Sequence, residues 1–135
     1  MKGRKPSEIS PGSSPVVEVP RPPSWLSRDA RAEWRRVAPI MIDERKVLTV
    51  PDMAQLAHYC AAVGEVAEAS RLIGKEGLVF RSPSGPKKHP AVAIRGEAMT
   101  QARRLAAELG LTPMSRSRAP MKERTNDDAW AGMDV

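Results

Sequence analysis

From Trp25 onward the apolar positions fall into three runs with helical spacing, separated by short stretches rich in Pro, Gly and Ser. In the first, "WLSRDARAEWRRVAPIMIDERKVL", Ala30, Trp34, Val37, Ala38 and Met41 recur at steps that gather them on one helical face. Ser27 stands where an N-cap belongs, and Asp29 lies in the first turn, where the helix dipole favours a carboxylate. Arg28, Arg31, Arg35 and Arg36 take much of the opposite side. Pro39 has no N–H to offer the Arg35 carbonyl, so a kink or a stop is expected there, with a short second piece to Lys46.

The second run, "LTVPDMAQLAHYCAAVGEVAEASRLIGKEG", repeats these signals with Thr49 as N-cap, Pro51 in the first turn and Asp52 three residues after the cap. Met53, Leu56, Cys60, Val63 and Ala67 form its stripe, while Ala57, Tyr59, Val66 and Ile73 widen it. A surface that wide suits the chain's own domain and a second subunit. Gly77 is the natural C′ residue, with Gly74 as competitor. "LVFRSPSGPKKHP" then reads as a short extended or hairpin connection carrying Lys87 and Lys88 in its turn. The third helix starts at Pro90 behind His89, a weaker cap than Asn or Ser. Ile94, Ala98, Ala102, Leu105 and Leu109 form its inward face, and Arg95, Arg103 and Arg104 lie off it. Gly110 fits C′, Leu111 can close a Schellman-type cap, and Pro113 bars continuation.

These patterns predict an all-α fold, a small domain of about three main helices over residues 25–113 with that short connection. Residues 1–24 form a basic Pro/Ser-rich arm whose composition cannot repay the entropy of folding, and 114–135 form a flexible tail, basic and then acidic. The composition of the arm fits a functional contact and an inert end equally. Only five aromatic residues are present, so the core must be built from Ala, Val, Leu, Ile and Met, which suits packed helices.

Charge adds a direction. The chain carries a net +6, and segment by segment basic charge flanks an acidic middle over 49–77, with a final reversal over 127–135. Such a balance favours polyanionic partners. Cys60 is the only cysteine, so an intrachain disulfide is impossible and a reducing interior is the simpler home. No apolar run approaches the roughly 20 residues of a membrane span, and no apolar stretch of the signal-peptide kind follows the basic start. A cytoplasmic protein without a membrane partner is expected.

Enzyme signatures are missing: there is no GxxxxGK[ST], no GxSxG and no HExxH, and one Cys with two His cannot build the usual zinc site. No catalytic, cofactor or metal residue is expected. His58 reads as a surface or interface residue, Cys60 as core, and the pairs Asp43/Glu44 and Glu65/Glu68 as solvated helix faces. The candidates for phosphate contact are Lys2, Arg4 and Lys5 in the arm, Lys87 and Lys88 in the connection, Arg103 and Arg104 on the third helix, and Arg116, Arg118, Lys122 and Arg124 in the tail. In "DDAWAGMDV", Trp130 and Met133 are candidate anchors of a docking peptide whose aspartates choose a basic groove, unless the segment is only a disordered end.

The stretches "RPPSWLSRDARAEWRRVAPIM", "VLTVPDMAQLAHYCAAVGEVAEA" and "KKHPAVAIRGEAMTQARRLAAELGLTPMSRSR" resemble the small terminase subunits of tailed bacteriophages. The likeness runs from about Arg21 to Arg118; its most specific pieces are PxWL, LT plus an acid, HPA and LGLTP followed by S-R-S-R, and the basic MKGRKP start is also similar. His89 stands where the family typically has Asn, and nothing beyond Arg118 matches a pattern. The resemblance implies a non-enzymatic subunit, acting in the cytoplasm of the infected bacterial host. It implies a homo-oligomeric ring that binds viral double-stranded DNA to begin packaging and regulates the large subunit, which holds the ATPase and nuclease. The residues alone leave two alternatives: a helix-turn-helix transcriptional regulator, or an adaptor that binds only protein.

Overall fold

The computed structural model of the chain describes residues 14–118. The first helix, α1, spans Arg28–Pro39, and Ser27 caps it from an extended conformation, its hydroxyl accepting the Ala30 N–H at 3.3 Å. All five residues of the expected apolar face are buried. At Pro39 the chain neither kinks away nor stops. It widens into a π-helical turn, Ile40–Glu44, in which the Arg45 N–H reaches the Ile40 carbonyl five residues back at 2.9 Å. Widening keeps Met41 and Ile42 inside the core, which a break would have exposed.

The second helix, α2, spans Asp52–Glu76. Its start differs in detail from the expected Thr49 cap, because the acid reaches back instead. Asp52 Oδ2 accepts the Thr49 N–H at 2.8 Å and the Thr49 hydroxyl at 2.7 Å, the carboxylate half of a capping box. Its end falls at Gly77, whose φ of 89° lies in the region that only glycine enters without strain. There the Gly77 N–H closes on the Ile73 carbonyl at 2.7 Å.

A two-stranded antiparallel hairpin follows, β1 at Val79–Ser82 and β2 at Gly85–Lys88, with Val79 opposite Lys88 and Phe80 opposite Lys87. Lys87 and Lys88 therefore sit in the second strand, while Pro83 and Ser84 make the turn. The third helix, α3, spans Pro90–Glu108 and ends in a complete Schellman motif. The Leu111 N–H bonds the Ala106 carbonyl at 2.8 Å, and the Gly110 N–H bonds that of Ala107 at 3.2 Å.

Pro113 bars α3 but opens a further short helix, α4, over Pro113–Arg118. Thr112 and Ser115 cap it reciprocally, each side chain accepting the other's backbone N–H at 3.1 Å. The stretch expected to be structureless from Met114 thus begins as helix, because a proline is harmless at the first helical position.

Antiparallel to α3 on one side and packed on α1 on the other, α2 is the centre of the fold. Much of its wide apolar surface meets these two neighbours, while Leu72 stays 41% exposed. The larger core joins α1, the π-helical turn, Leu48, the first half of α2 and Leu109; a smaller one holds Ala69, Ile73 and Ala91 near the hairpin. Ile94, expected on the inward face of α3, is instead 52% exposed, and Ala91 takes the inner position one turn earlier.

Residues 14–24, expected to be part of a free arm, lie against the body. The Val16 N–H bonds the Leu48 carbonyl at 3.0 Å, the Val50 N–H bonds that of Ser14 at 2.9 Å, and the Trp34 indole N–H bonds that of Pro20 at 3.0 Å. A proline-rich strand supplies carbonyls without demanding donors, so it can line helix and loop without forming an element of its own.

Candidate nucleic-acid interface

The one buried charged cluster of the described residues is structural. Glu33, on α1, accepts the Tyr59 hydroxyl at 2.9 Å and the Arg36 Nε–H at 2.9 Å, with a second bond from the other end of the same guanidinium. Burial would raise the Glu33 carboxyl, but the hydrogen bonds from Arg36 and Tyr59 outweigh it and hold the group below its usual 4.5. Burial, and then the carboxylate beside it, pushes the Tyr59 hydroxyl up to about 12; burial likewise pushes the Cys60 thiol up to about 12, which leaves it protonated and inert.

Acid sensitivity follows with a definite sign. A carboxyl whose folded value is depressed contributes stability that is present above its unfolded value and lost as pH falls through the folded one. The Tm is therefore expected to drop below about pH 4.5 more steeply in the native chain than in Glu33→Gln, which keeps an acceptor for Tyr59 but cannot titrate. At pH 7 the same substitution costs about 1.5–3 kcal/mol, the worth of hydrogen bonds to a charged group. Parallel pH profiles for the two proteins would refute the assignment.

Among the described residues, the cations expected to contact phosphate are spread over more than one place. Lys87 and Lys88 project from the hairpin at one pole of the α2–α3 pair. Arg103 and Arg104 lie some fifteen residues along α3, about 22 Å away at 1.5 Å per residue. Those two arginines also diverge, since neighbours on a helix point about 100° apart. Arg103 enters a cleft of about 640 Å³ with Arg45, Arg116, Asp52 and Glu108, whereas Arg104 lines a separate groove with Glu65 and Glu97. Carboxylates thus share both places. Lys2, Arg4, Lys5, Lys122, Arg124, Trp130 and Met133 lie outside the described residues, as does the side chain of Arg118, whose backbone ends α4.

The hairpin pole differs in its charge balance. Between Leu72 and Arg95 the chain has five cations, Lys75, Arg81, Lys87, Lys88 and Arg95, against one acid, Glu76. Glu76 is occupied: its Oε2 lies 2.5 Å from Nε2 of His89. The other ring nitrogen, Nδ1, accepts the Ala91 N–H at 3.0 Å, so Nδ1 carries no proton and Nε2 donates to the acid. His89, expected to be only a weak cap, therefore caps α3 and ties it to the end of α2 while itself buried. Among the described residues Lys75, Arg81, Lys87 and Lys88 have no ion-pair partner.

Arg81 is not visible as a candidate in the sequence, because a lone arginine between Phe80 and Ser82 carries no pattern. The signal that could have found it is the hairpin register, which places it beside Lys88 on one face.

Among the described residues no three His, Cys, Asp or Glu side chains come together to hold a metal, and no helix is long and apolar enough to cross a membrane. What the described surface offers chemically is positive charge without an ion-pair partner among the described residues, mounted on a helical frame. The family model described as phage terminase, small subunit, matches residues 30–126, from α1 to beyond α4. No curated protein and no solved structure matches the chain. With the match covering most of its length, from the first turn of α1 to beyond α4, the chain belongs to the small-subunit family of phage terminases.

Proposed function

We propose that this chain is the DNA-engaging, non-catalytic subunit of a phage packaging motor, working as a ring oligomer that binds viral double-stranded DNA and regulates the large subunit. The observation that carries the reading is the excess of cations around the hairpin pole, mounted on two helix ends, in a family whose members serve genome packaging. Repetition around a ring would multiply a modest set of phosphate contacts, since each neutralised phosphate adds to the salt-dependent affinity. A heterologous contact of this kind closes when the rotation between copies permits. Leu72, Ile94 and Met99, apolar side chains left exposed on α2 and α3, are the surface assigned to that contact.

A helix-turn-helix regulator fits less well. The joint between α2 and α3 is a β-hairpin, α1 and α2 are separated by a π-helical turn and a loop, and α4 has only 6 residues. Two measurements test the proposal on the full chain: light scattering after size exclusion, and duplex binding over a salt series. A closed oligomer with a log affinity falling steeply against log salt is expected; a monomer at micromolar concentration overturns the ring, and absence of binding at 50 mM salt overturns the DNA role.

A further inference from the structure

Among the described residues, only one of the two basic poles is free of competing carboxylates. At the far pole Arg45, Arg103 and Arg116 share their cleft with Asp52 and Glu108, and Gln55 donates to Glu108 at 3.0 Å, so the local field is mixed. At the hairpin pole the only acid among the described residues is held by His89. Both strands are nearly all exposed, and they bring apolar as well as cationic side chains into solvent, Val79 and Phe80 among them.

We propose that the hairpin Val79–Lys88 is the element that enters duplex DNA, with Arg81, Lys87 and Lys88 on the phosphates and Phe80 against the groove. The inference rests on the DNA-binding reading above and narrows it to one site, to which it adds Arg81 and Phe80.

Strand alternation sorts the side chains onto two faces. Val79, Arg81, Pro86 and Lys88 share one, and Phe80, Ser82 and Lys87 share the other, so each face carries positive charge. A ribbon lying flat on a surface needs cations on one face only. Cations on both faces suit a ribbon that enters a groove tip first, with a phosphate wall on either side. The tip is small enough to lead, being Pro83 and Ser84 with the Ser82 hydroxyl bonded to the Gly85 carbonyl at 2.8 Å. Two strands about 4.8 Å apart, with side chains on both faces, fit the roughly 12 Å major groove and overfill the roughly 6 Å minor groove.

The ribbon is also held at its root. The His89 N–H bonds the Leu78 carbonyl at 2.7 Å, which extends the strand ladder by one step, and the ring of Phe80 meets that of His89 edge-on at 6.5 Å. Because the same imidazole bonds Glu76 and caps α3, the angle of the hairpin is fixed to both helices. His89 is a positioning residue: it orients the cations without contributing charge.

Fluorescence anisotropy of a labelled blunt duplex, titrated with the full chain between 50 and 200 mM salt, tests the assignment. The triple variant Arg81→Ala/Lys87→Ala/Lys88→Ala is expected to lower the slope of log affinity against log salt by about 2.7 for each engaged hairpin, at roughly 0.9 per phosphate. Lys87→Arg/Lys88→Arg should keep the native slope. Arg103→Ala/Arg104→Ala should keep it as well, because those residues share their grooves with acids. Phe80→Ala and His89→Ala are expected to weaken binding several-fold with the slope unchanged, the second restored in part by His89→Asn, which can still cap α3. Far-ultraviolet circular dichroism confirms that each variant keeps its helices. Native binding with an unaltered slope in the triple variant overturns the hairpin and leaves the DNA role standing; failure of the native chain to bind overturns both.

Discussion

Gly64→Val is expected to destabilise the domain by about 3 kcal/mol, near the upper end for forcing extra carbon into a packed site. A Cβ at Gly64 would lie 2.7 Å from the Ser27 Oγ, 2.9 Å from the Ala30 backbone nitrogen and 3.0 Å from the Ala30 Cβ. The obstacle is the first turn of α1 itself, backbone included, together with the hydroxyl that caps it. Relief requires α1 and α2 to separate, and their contact is what closes the larger core. Even Gly64→Ala should lose. Alanine gains about 1 kcal/mol of helix propensity over glycine, but the overlap with a backbone atom below 3.0 Å costs more than that gain returns. Gly96→Ala is the control, because nothing lies within 4 Å of a Cβ there and the propensity gain stands alone. In thermal melts Gly64→Val should fall by on the order of 15 °C while Gly96→Ala rises by a few degrees. A Gly64→Val protein as stable as the native one would mean that α1 and α2 do not cross at this glycine.

That crossing was not legible in the sequence, although the faces that meet there were. Period-3.6 spacing identified Trp34, Val37 and Met41 on α1 and Leu56 and Cys60 on α2, because burying a stripe is the only way a short helix becomes stable. The stops at Gly77 and Gly110 were equally plain, since a positive φ after a helix selects glycine. Partners distant along the chain left no mark. Nothing in the spacing tells that Glu33 meets Tyr59, 26 residues on, or which part of the wide α2 surface meets α1 and which meets α3.

The candidate site was legible in composition and not in arrangement. Arg103 and Arg104 look like a pair when written side by side, yet helix geometry sends them into different grooves. Arg81 looks solitary, yet strand register sets it beside Lys88. His89 looks like a poor substitute for asparagine. Its second nitrogen, which asparagine lacks in that position, is what ties α3 to Glu76.

Trp34→Ala is expected to cost about 3–5 kcal/mol, a large part of the roughly 5–15 kcal/mol that holds a domain of this size together. Trp34 is 2% exposed at the centre of the larger core, and its removal leaves a cavity that α1 and α2 cannot close without moving the turn that buries Met41. A second effect is separable from this. The indole N–H donates to the Pro20 carbonyl at 3.0 Å, and so holds residues 14–24 against the body as well as filling the core. Trp34→Phe keeps much of the apolar area but loses that bond, worth about 1 kcal/mol, and some volume. Leu56→Ala, also in the core, should lose a comparable amount, about 2–5 kcal/mol, without touching Pro20. Limited Glu-C cleavage after Glu18, under conditions where all variants remain folded, distinguishes the two roles. Both Trp34 variants should be cut faster than the native chain, and Leu56→Ala at close to the native rate. Equal cleavage in all three variants would show that Trp34 supports the segment only through global stability, and that the indole bond is not what keeps residues 14–24 in place.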